Sequence, residues 1–266
     1  MGTLFKTHGP LCGDLINQLI NVTLPTALNS NEKQKTKFGL FVMDDMVEFL
    51  GPALLGPLYV QIAQQIIKFC SSTTAAVRQA ASYGIGIMAE KAGPHFAQIS
   101  NDCLLGLKNA IEFEMPASVK DKKSKVKQFM HAKDNAVSAL GKIIKFQNQV
   151  VDPNSLIPNW LGLLPIKNDV DEAKVQNELL ADLLLSNSIA VLGEQYQRFE
   201  HVITILADIS KQKYLNETSV PKFQQLLKGI SSDANFGPQF QLIYQNKLTE
   251  EQQNRLKLMI EGSIHN

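Results

Sequence analysis

The sequence predicts an all-α fold, a right-handed α-solenoid of HEAT repeats in which antiparallel helix hairpins stack into a superhelix. Apolar residues recur at helical spacing along most of the chain, and no segment alternates for long with period two. Lys37, Arg78, Lys133 and Lys174 occupy the same position in four similar segments, at steps of 41, 55 and 41 residues. A two-helix unit of about 40 to 47 residues is the period of HEAT and armadillo arrays.

We expect one array over residues 1–266, as the C-terminal fragment of a longer chain. The approximate repeats are 31–70, 73–113, 131–165, 171–210 and 216–246, followed by a terminal helix at 249–262. The step of 55 residues requires only a loop insertion between two repeats.

Composition and charge indicate a globular protein and exclude several classes. The chain has 266 residues, of which 44% are hydrophobic and 19% charged, so it can bury a large core. Because the formal net charge is only +1, there is no global field to attract nucleic acid or an anionic membrane. No apolar run approaches the length of a membrane span. The three cysteines, Cys12, Cys70 and Cys103, are predicted to be reduced core residues.

Residues 73–94 predict the central helix of the fold. Thr73 or Thr74 can cap its start, and Gly93-Pro94 can stop it. Few residues between these limits are clearly polar, so the helix is expected to be buried on several sides. Its cylinder is kept thin by small residues, namely Ala75, Ala76, Ala80, Ala81, Gly84 and Gly86.

The other helices follow from the apolar spacing and from start and stop signals. They are predicted at 8–30, 31–51, 58–70, 96–113, 133–147, 153–165, 171–186, 198–210, 218–230, 236–245 and 249–260. In the segment 153–165, Pro158 is expected in the first turn, and Trp160, the only tryptophan, in the core. Thr249 and Gln252 form a capping box for the last helix.

Residues 114–127 interrupt this pattern with Pro116 and a group of lysines. We expect an exposed loop or a frayed helix start. The lysines are the candidate partner-binding residues: Lys120, Lys122, Lys123, Lys125 and Lys127. The functional alternative to a solvated loop is a contact with an acidic partner or with nucleic acid.

No pattern in the sequence indicates an enzyme, a cofactor or a metal site. The five histidines, His8, His95, His131, His201 and His265, lie far apart and form no His-x-x-x-His or Glu-x-x-His pair. There is no Walker lysine motif and no nucleophile elbow. Asp44 and Asp45 are adjacent on a predicted helix, so their side chains point about 100° apart and cannot share one catalytic atom.

Four blocks of the sequence resemble the importin beta family of karyopherins, near the C-terminus of one of its members. The blocks are KFGLFVMDDMVEFLGP (37–52), VRQAASYGIGIMAEKAG (77–93), DNAVSALGKIIKF (134–146) and LIPNWLGLLPIKNDVDEA (156–173). Their order and spacing also match. SIAVLG (188–193) and LTEEQQNRLKLMI (248–260) resemble two further landmarks.

The resemblance implies a nuclear transport receptor without catalytic activity, which shuttles between cytoplasm and nucleus. Members of the family are superhelices of HEAT repeats that carry protein cargo through nuclear pores and bind Ran in its GTP state. Protein cargo, Ran and nucleoporins are the implied partners of the full-length receptor, with no direct nucleic acid and no membrane. The family is usually acidic, whereas this chain is neutral, and the lysines of 120–127 depart from the family pattern.

Three other functions are weighed against a transport-receptor fragment. A HEAT scaffold of another intracellular complex would show the same helical pattern and differ only in the blocks quoted above. A nucleic-acid binder would use the lysines of 120–127, but that segment lacks interleaved aromatic residues for base stacking. An enzyme has the least support of the three.

Overall fold

The computed structural model of the protein describes residues 1–186 and 188–263, so His265 lies outside the described residues. Over these ranges the chain forms seventeen α-helices, joined by short 3-10 and π turns. They are α1 (Gly2–His8), α2 (Gly13–Gln18), α3 (Leu24–Leu28), α4 (Lys33–Phe49), α5 (Gly51–Leu55), α6 (Leu58–Lys68), α7 (Ala75–Lys91), α8 (Ser100–Glu112), α9 (Ala117–Lys120), α10 (Lys123–Phe146), α11 (Pro153–Gly162), α12 (Val170–Ser186), α13 (Ser188–Leu192), α14 (Phe199–Ile209), α15 (Ser219–Ser232), α16 (Phe236–Asn246) and α17 (Glu250–Glu261).

The all-α fold of stacked helices is confirmed. The described residues contain no β-strand. In the same part of the chain, no helix combines the length and the apolar character needed to cross a membrane.

The chain divides into two compact units, Met1–Pro153 and Asn154–Asn266. Each unit has its own core of packed helices. The prediction of one continuous array with the repeat limits given above stays a prediction.

Helix α7 is the centre of the first unit, as its small and apolar residues predict. It packs between α4 and α10, and it also contacts α6 and α8, which contact each other. Helices α4, α7 and α10 thus form one layer, and α6 and α8 form another. In α7 even Arg78 and Ser82 are buried. The three cysteines are buried and free, as predicted.

The second unit repeats the two-layer arrangement. Helix α15 contacts α12, α16 and α17, while α14 contacts α16 and α17. Trp160 is fully buried, as predicted, and its indole Nε1 donates a hydrogen bond of 3.0 Å to Oε1 of Gln176. The capping box of α17 is also confirmed, because Thr249 and Gln252 exchange side-chain and backbone hydrogen bonds.

Three sequence predictions about helix limits are corrected. Helix α10 begins at Lys123, ten residues before the predicted start at 133, because the lysine-rich sequence continues the same helix. Pro158 lies inside α11 and not in its first turn, because α11 already begins at Pro153. The segment predicted as one helix at 8–30 follows α1 and consists of a 3-10 turn, α2, a π turn and α3.

Glycine at position 84 allows α7 to pack closely on α4. A Cβ atom added there would collide with the Asp44 carboxylate and lie 2.9 Å from Cγ2 of Ile66. Gly229 in α15 is the matched control, since a Cβ atom there meets nothing within 4 Å.

We expect Gly84→Ala and Gly229→Ala to change stability in opposite directions. Overpacking should make Gly84→Ala less stable by about 1–3 kcal/mol. Better helix propensity should make Gly229→Ala more stable by about 0.5–1 kcal/mol. Urea denaturation of both variants measures the difference, and equal midpoints would contradict the close contact of α4 and α7.

Candidate partner-binding surface

The five lysines predicted as partner-binding residues lie on α9, on the turn after it and on the first turns of α10. All five side chains are exposed: Lys120, Lys122, Lys123, Lys125 and Lys127. None of them forms an ion pair with another described residue. The segment is therefore helical and not a plain loop, but it is solvated as expected.

Arg78 fixes this segment against α7. Its guanidinium carbon lies 3.8 Å from the ring centroid of Phe113, before α9, and 4.9 Å from that of Phe129, in α10. One terminal nitrogen donates a hydrogen bond of 2.6 Å to the carbonyl oxygen of Ser72. Burial lowers the pKa of Arg78 to about 10, so the side chain remains a cation at neutral pH. Both ends of the lysine segment are thus held by one buried cation.

A cavity of about 280 Å³ lies where the first turns of α4, α7 and α10 meet. Helix α7 packs between α4 and α10, and first-turn residues of all three helices line this cavity, so their N-terminal ends lie at one edge of the layer. The cavity is lined by Lys33, Gln34, Lys37, Thr73, Thr74, Ala75, Ala76, Pro116, Val119, Lys125, Gln128 and Phe129. We call it the lysine cavity, after Lys33, Lys37 and Lys125.

The lysine cavity brings together only one of the predicted site residues. Lys125 lines it, whereas the other four predicted lysines lie outside its lining. Sequence reasoning missed Lys33 and Lys37 of α4, although the run EKQKTK at 32–37 carries a visible signal of local positive charge. Their meeting with Lys125 depends on the stacking of α4, α7 and α10, which no single segment reveals.

The potential of the lysine cavity is positive. Within the described residues, Lys33, Lys37 and Lys125 have no carboxylate partner, while the nearby Lys35 is paired with Glu32 at 2.5 Å. None of the three helices has a side-chain N-cap hydrogen bond or an acidic residue in its first turn. The helix dipoles therefore add positive charge at the edge where the lysines lie.

A second cavity, of about 430 Å³, lies beside the lysine cavity and shares Gln34 and Lys37 with it. Its other lining residues are Ala27, Lys35, Phe38 and Phe41. Phe38 is 60% exposed, which is unusual for so large an apolar side chain. The Nζ atom of Lys37 lies 5.0 Å from the ring centroid of Phe41. We call this second site the aromatic cavity.

A charged cluster in the second unit contrasts with the lysine cavity, because its lysine is paired with carboxylates. The Nζ atom of Lys222 in α15 lies 3.1 Å from Glu178 and 2.6 Å from Asp182, both in α12. Hydrogen bonds, first from Thr218 and then from Asn216 and Lys222, lower the pKa of Glu178 to about 2. This cluster joins α12 to α15, and its lysine is fully occupied by the two carboxylates.

Asp44, one of the two adjacent aspartates, is buried in α4 against α7. Its carboxylate is 3% exposed and accepts no hydrogen bond from any described residue. Burial raises its pKa well above the usual value, and the nearby charges of Asp45 and Glu48 raise it further. Asp45 lies at the surface, 3.8 Å from the N-terminal ammonium. The two carboxylates thus have different environments and do not form an acid–base pair.

The described residues contain no group of three His, Cys, Asp or Glu side chains placed to hold a metal ion.

Comparison with known sequences shows similarity to importins. Importin subunit beta-3 of Saccharomyces cerevisiae is 25% identical over 228 residues, which cover 84% of this chain and 20% of that protein. The probable importin-5 homolog of Dictyostelium discoideum is 28% identical over 159 residues, which cover 58% of this chain and 14% of that protein. The chain thus spans about a fifth or less of the length of these relatives. No family model matches the sequence.

Among solved structures, a designed armadillo repeat protein, YIII(Dq)4CqI, can be aligned with this chain. The alignment covers 90% of this chain and 98% of the designed protein. The TM-score is 0.33 and the sequence identity 14%. This similarity is too low to support an argument about fold or function.

Proposed function

We propose that this chain, a homologue of part of the importin beta-3 and importin-5 proteins, is the protein-binding segment of a nuclear transport receptor. The sequence similarity over 84% of the chain carries this proposal. The stacked helices support it, because helical repeat arrays bind other proteins along extended surfaces.

The receptor's partners would be protein cargo, Ran and nucleoporins, and cargo release would be controlled by Ran in its GTP state. Such a receptor would shuttle between cytoplasm and nucleus and have no catalytic activity. The chain contains only a fraction of the length of its relatives, so these activities belong to the full-length receptor. Residues 1–266 would add contacts to those made by the rest of the superhelix.

We expect this segment alone to bind GTP-loaded Ran much more weakly than the full-length receptor does. Several patches on one superhelix act together, and separating one patch removes the effective-concentration advantage that links them. Calorimetric titration of residues 1–266 and of the full-length receptor with GTP-loaded Ran measures the difference. Equal affinities would show that this segment contains the main Ran site.

A capture experiment tests the receptor function itself. The immobilised full-length receptor is incubated with cell lysate and then washed with GTP-loaded or GDP-loaded Ran. The proposal predicts that GTP-loaded Ran elutes a set of proteins that GDP-loaded Ran leaves bound. If both forms of Ran leave the captured proteins in place, the chain is part of a scaffold and not of a transport receptor.

A further inference from the structure

We propose that the lysine cavity and the aromatic cavity together form a docking site for an acidic, partly apolar segment of a protein partner. This inference rests on the proposed protein-binding function and names the chemistry of one partner. Carboxylates of the partner would lie in the lysine cavity, and an apolar side chain would pack on Phe38 in the aromatic cavity.

The charges of the lysine cavity require an anionic occupant. Lys33, Lys37 and Lys125 approach one cavity from two helices, and no described carboxylate pairs with them. Like charges that face a common space repel one another, so an anion that enters it relieves this repulsion. The first turns of α4, α7 and α10 add backbone N–H groups without side-chain caps at the same edge. Charge complementarity therefore favours an acidic partner.

The rest of the lining favours a peptide as the source of that charge. Ala75, Ala76, Pro116 and Val119 line the cavity between the lysines. A cavity lined by both lysines and small apolar residues suits a carboxylate with its own methylene groups. The aromatic ring at the cavity, that of Phe129, is only 8% exposed and already packs on Arg78. It offers no platform for stacking a nucleobase.

The aromatic cavity explains why the partner also needs an apolar residue. Its exposed Phe38 is separated from the lysine cavity only by Gln34 and Lys37, which line both. An extended chain rises about 3.3 Å per residue, so about three residues cross a helix about 10 Å wide. The inferred motif is a group of Asp or Glu residues with a Leu or Phe about three positions away.

Fluorescence anisotropy tests this inference on the chain of residues 1–266. The probe is a labelled peptide of about a dozen residues, with a block of Asp and Glu followed at this spacing by Leu-Phe. Two comparison ligands are the same peptide with Asn and Gln in place of its acids, and single-stranded oligo-dT of similar length. The acidic peptide should bind most tightly of the three.

Two triple variants distinguish binding in the lysine cavity from nonspecific attraction by the other lysines of the surface. Lys33→Gln, Lys37→Gln and Lys125→Gln remove the cavity lysines, and we expect the affinity to fall at least about tenfold. Lys120→Gln, Lys122→Gln and Lys127→Gln remove the same charge outside the lining and should change the affinity less than about twofold. Five of these six lysines are exposed and Lys37 is half-buried, so circular dichroism is used to verify that both triple variants remain folded.

Phe38→Ala tests the aromatic cavity separately. This substitution should lower the affinity for the peptide that carries Leu-Phe by several-fold. It should not change the affinity for a peptide with Gly-Gly in place of Leu-Phe. Equal losses for both triples, tighter binding of oligo-dT, or no binding of the acidic peptide at low salt would each overturn the inference. The Ran-dependent elution described above is measured on the wild-type receptor and scores the release of any captured protein, so it tests the receptor function whether or not the acidic peptide binds to the cavities.

Discussion

Replacing Arg78 with alanine is expected to lower the free energy of unfolding by about 3–5 kcal/mol. The side chain is 1% exposed, so its removal leaves a large void in the first unit. The variant also loses the hydrogen bond to the Ser72 carbonyl and two cation–π contacts, with Phe113 and Phe129. Urea denaturation of the wild type and of Arg78→Ala measures this loss.

Two further variants identify the physical cause of the effect. Arg78→Lys keeps the charge but loses the planar group that stacks on two rings. We therefore expect it to recover less than half of the unfolding free energy that Arg78→Ala loses. Lys133→Ala changes the residue at the corresponding place of the next related segment. That lysine is partly exposed and contacts no aromatic ring among the described residues, so the expected loss is below about 0.5 kcal/mol.

Limited trypsin digestion provides a second readout for Arg78→Ala. Because Arg78 holds Phe113 and Phe129, its loss should free the segment between them, and cleavage at Lys120 to Lys123 should become faster. If the variant is less stable but this cleavage is not faster, Arg78 stabilises α7 without fixing the lysine segment.

The burial of α7 was predictable from sequence, whereas the role of Arg78 was not. Small residues such as Ala80, Ala81 and Gly84 directly indicate a thin, buried helix. An arginine in such a helix is normally assigned to its polar edge. Phe113, just after α8, and Phe129, in α10, lie 35 and 51 positions further along the chain, so their contact with Arg78 depends on tertiary packing.

The candidate site was likewise predictable from sequence only where its residues are close together in the chain. The lysines of 120–127 were visible because they are close in sequence, and the charge of a local run does not depend on the fold. The lysine cavity depends on which helix ends meet, because Lys33 and Lys125 are 92 positions apart and share a cavity only after α4, α7 and α10 have stacked. Helical periodicity predicts the faces of helices and not which ends come together.

Replacing Asp44 with asparagine is expected to stabilise the protein at neutral pH, and the gain should grow as the pH rises. Burial raises the pKa of Asp44 in the folded state, while in the unfolded chain the group has its ordinary value. The folded state therefore binds the proton of Asp44 more tightly than the unfolded chain does. The stabilisation from this proton is fully present when the pH is below the pKa of Asp44 in the unfolded chain. It is lost as the pH rises towards the folded pKa, with a slope of at most about 1.4 kcal/mol per pH unit.

Thermal unfolding at several pH values between about pH 4 and pH 8 measures this effect in the wild type, in Asp44→Asn and in the control Asp45→Asn. At the acid end, the difference between Asp44→Asn and the wild type should be smallest, because Asp44 is protonated in the folded state and only about half ionised in the unfolded chain. As the pH rises, the wild type should become less stable than Asp44→Asn. Asp45→Asn changes a partly exposed carboxylate next to it and should keep most of the wild-type pH dependence, because burial is the main cause of the raised pKa of Asp44. The slope should be somewhat smaller, because the Asp45 charge no longer raises the pKa of Asp44 and Glu48.

Other titrating groups set the limits of this comparison. Glu48 has a pKa raised first by burial and then by Asp45, so it adds a smaller slope of the same sign in the wild type and in Asp44→Asn, and a weaker one in Asp45→Asn. Cys70 and Cys103 have thiols whose pKa is raised by burial, so they affect the curves only above the chosen range. If Asp44→Asn melts below the wild type at pH 8, the Asp44 carboxylate is ionised and stabilised in the folded protein. The close packing of α4 against α7 would then rest on a charged contact and not on a neutral acid.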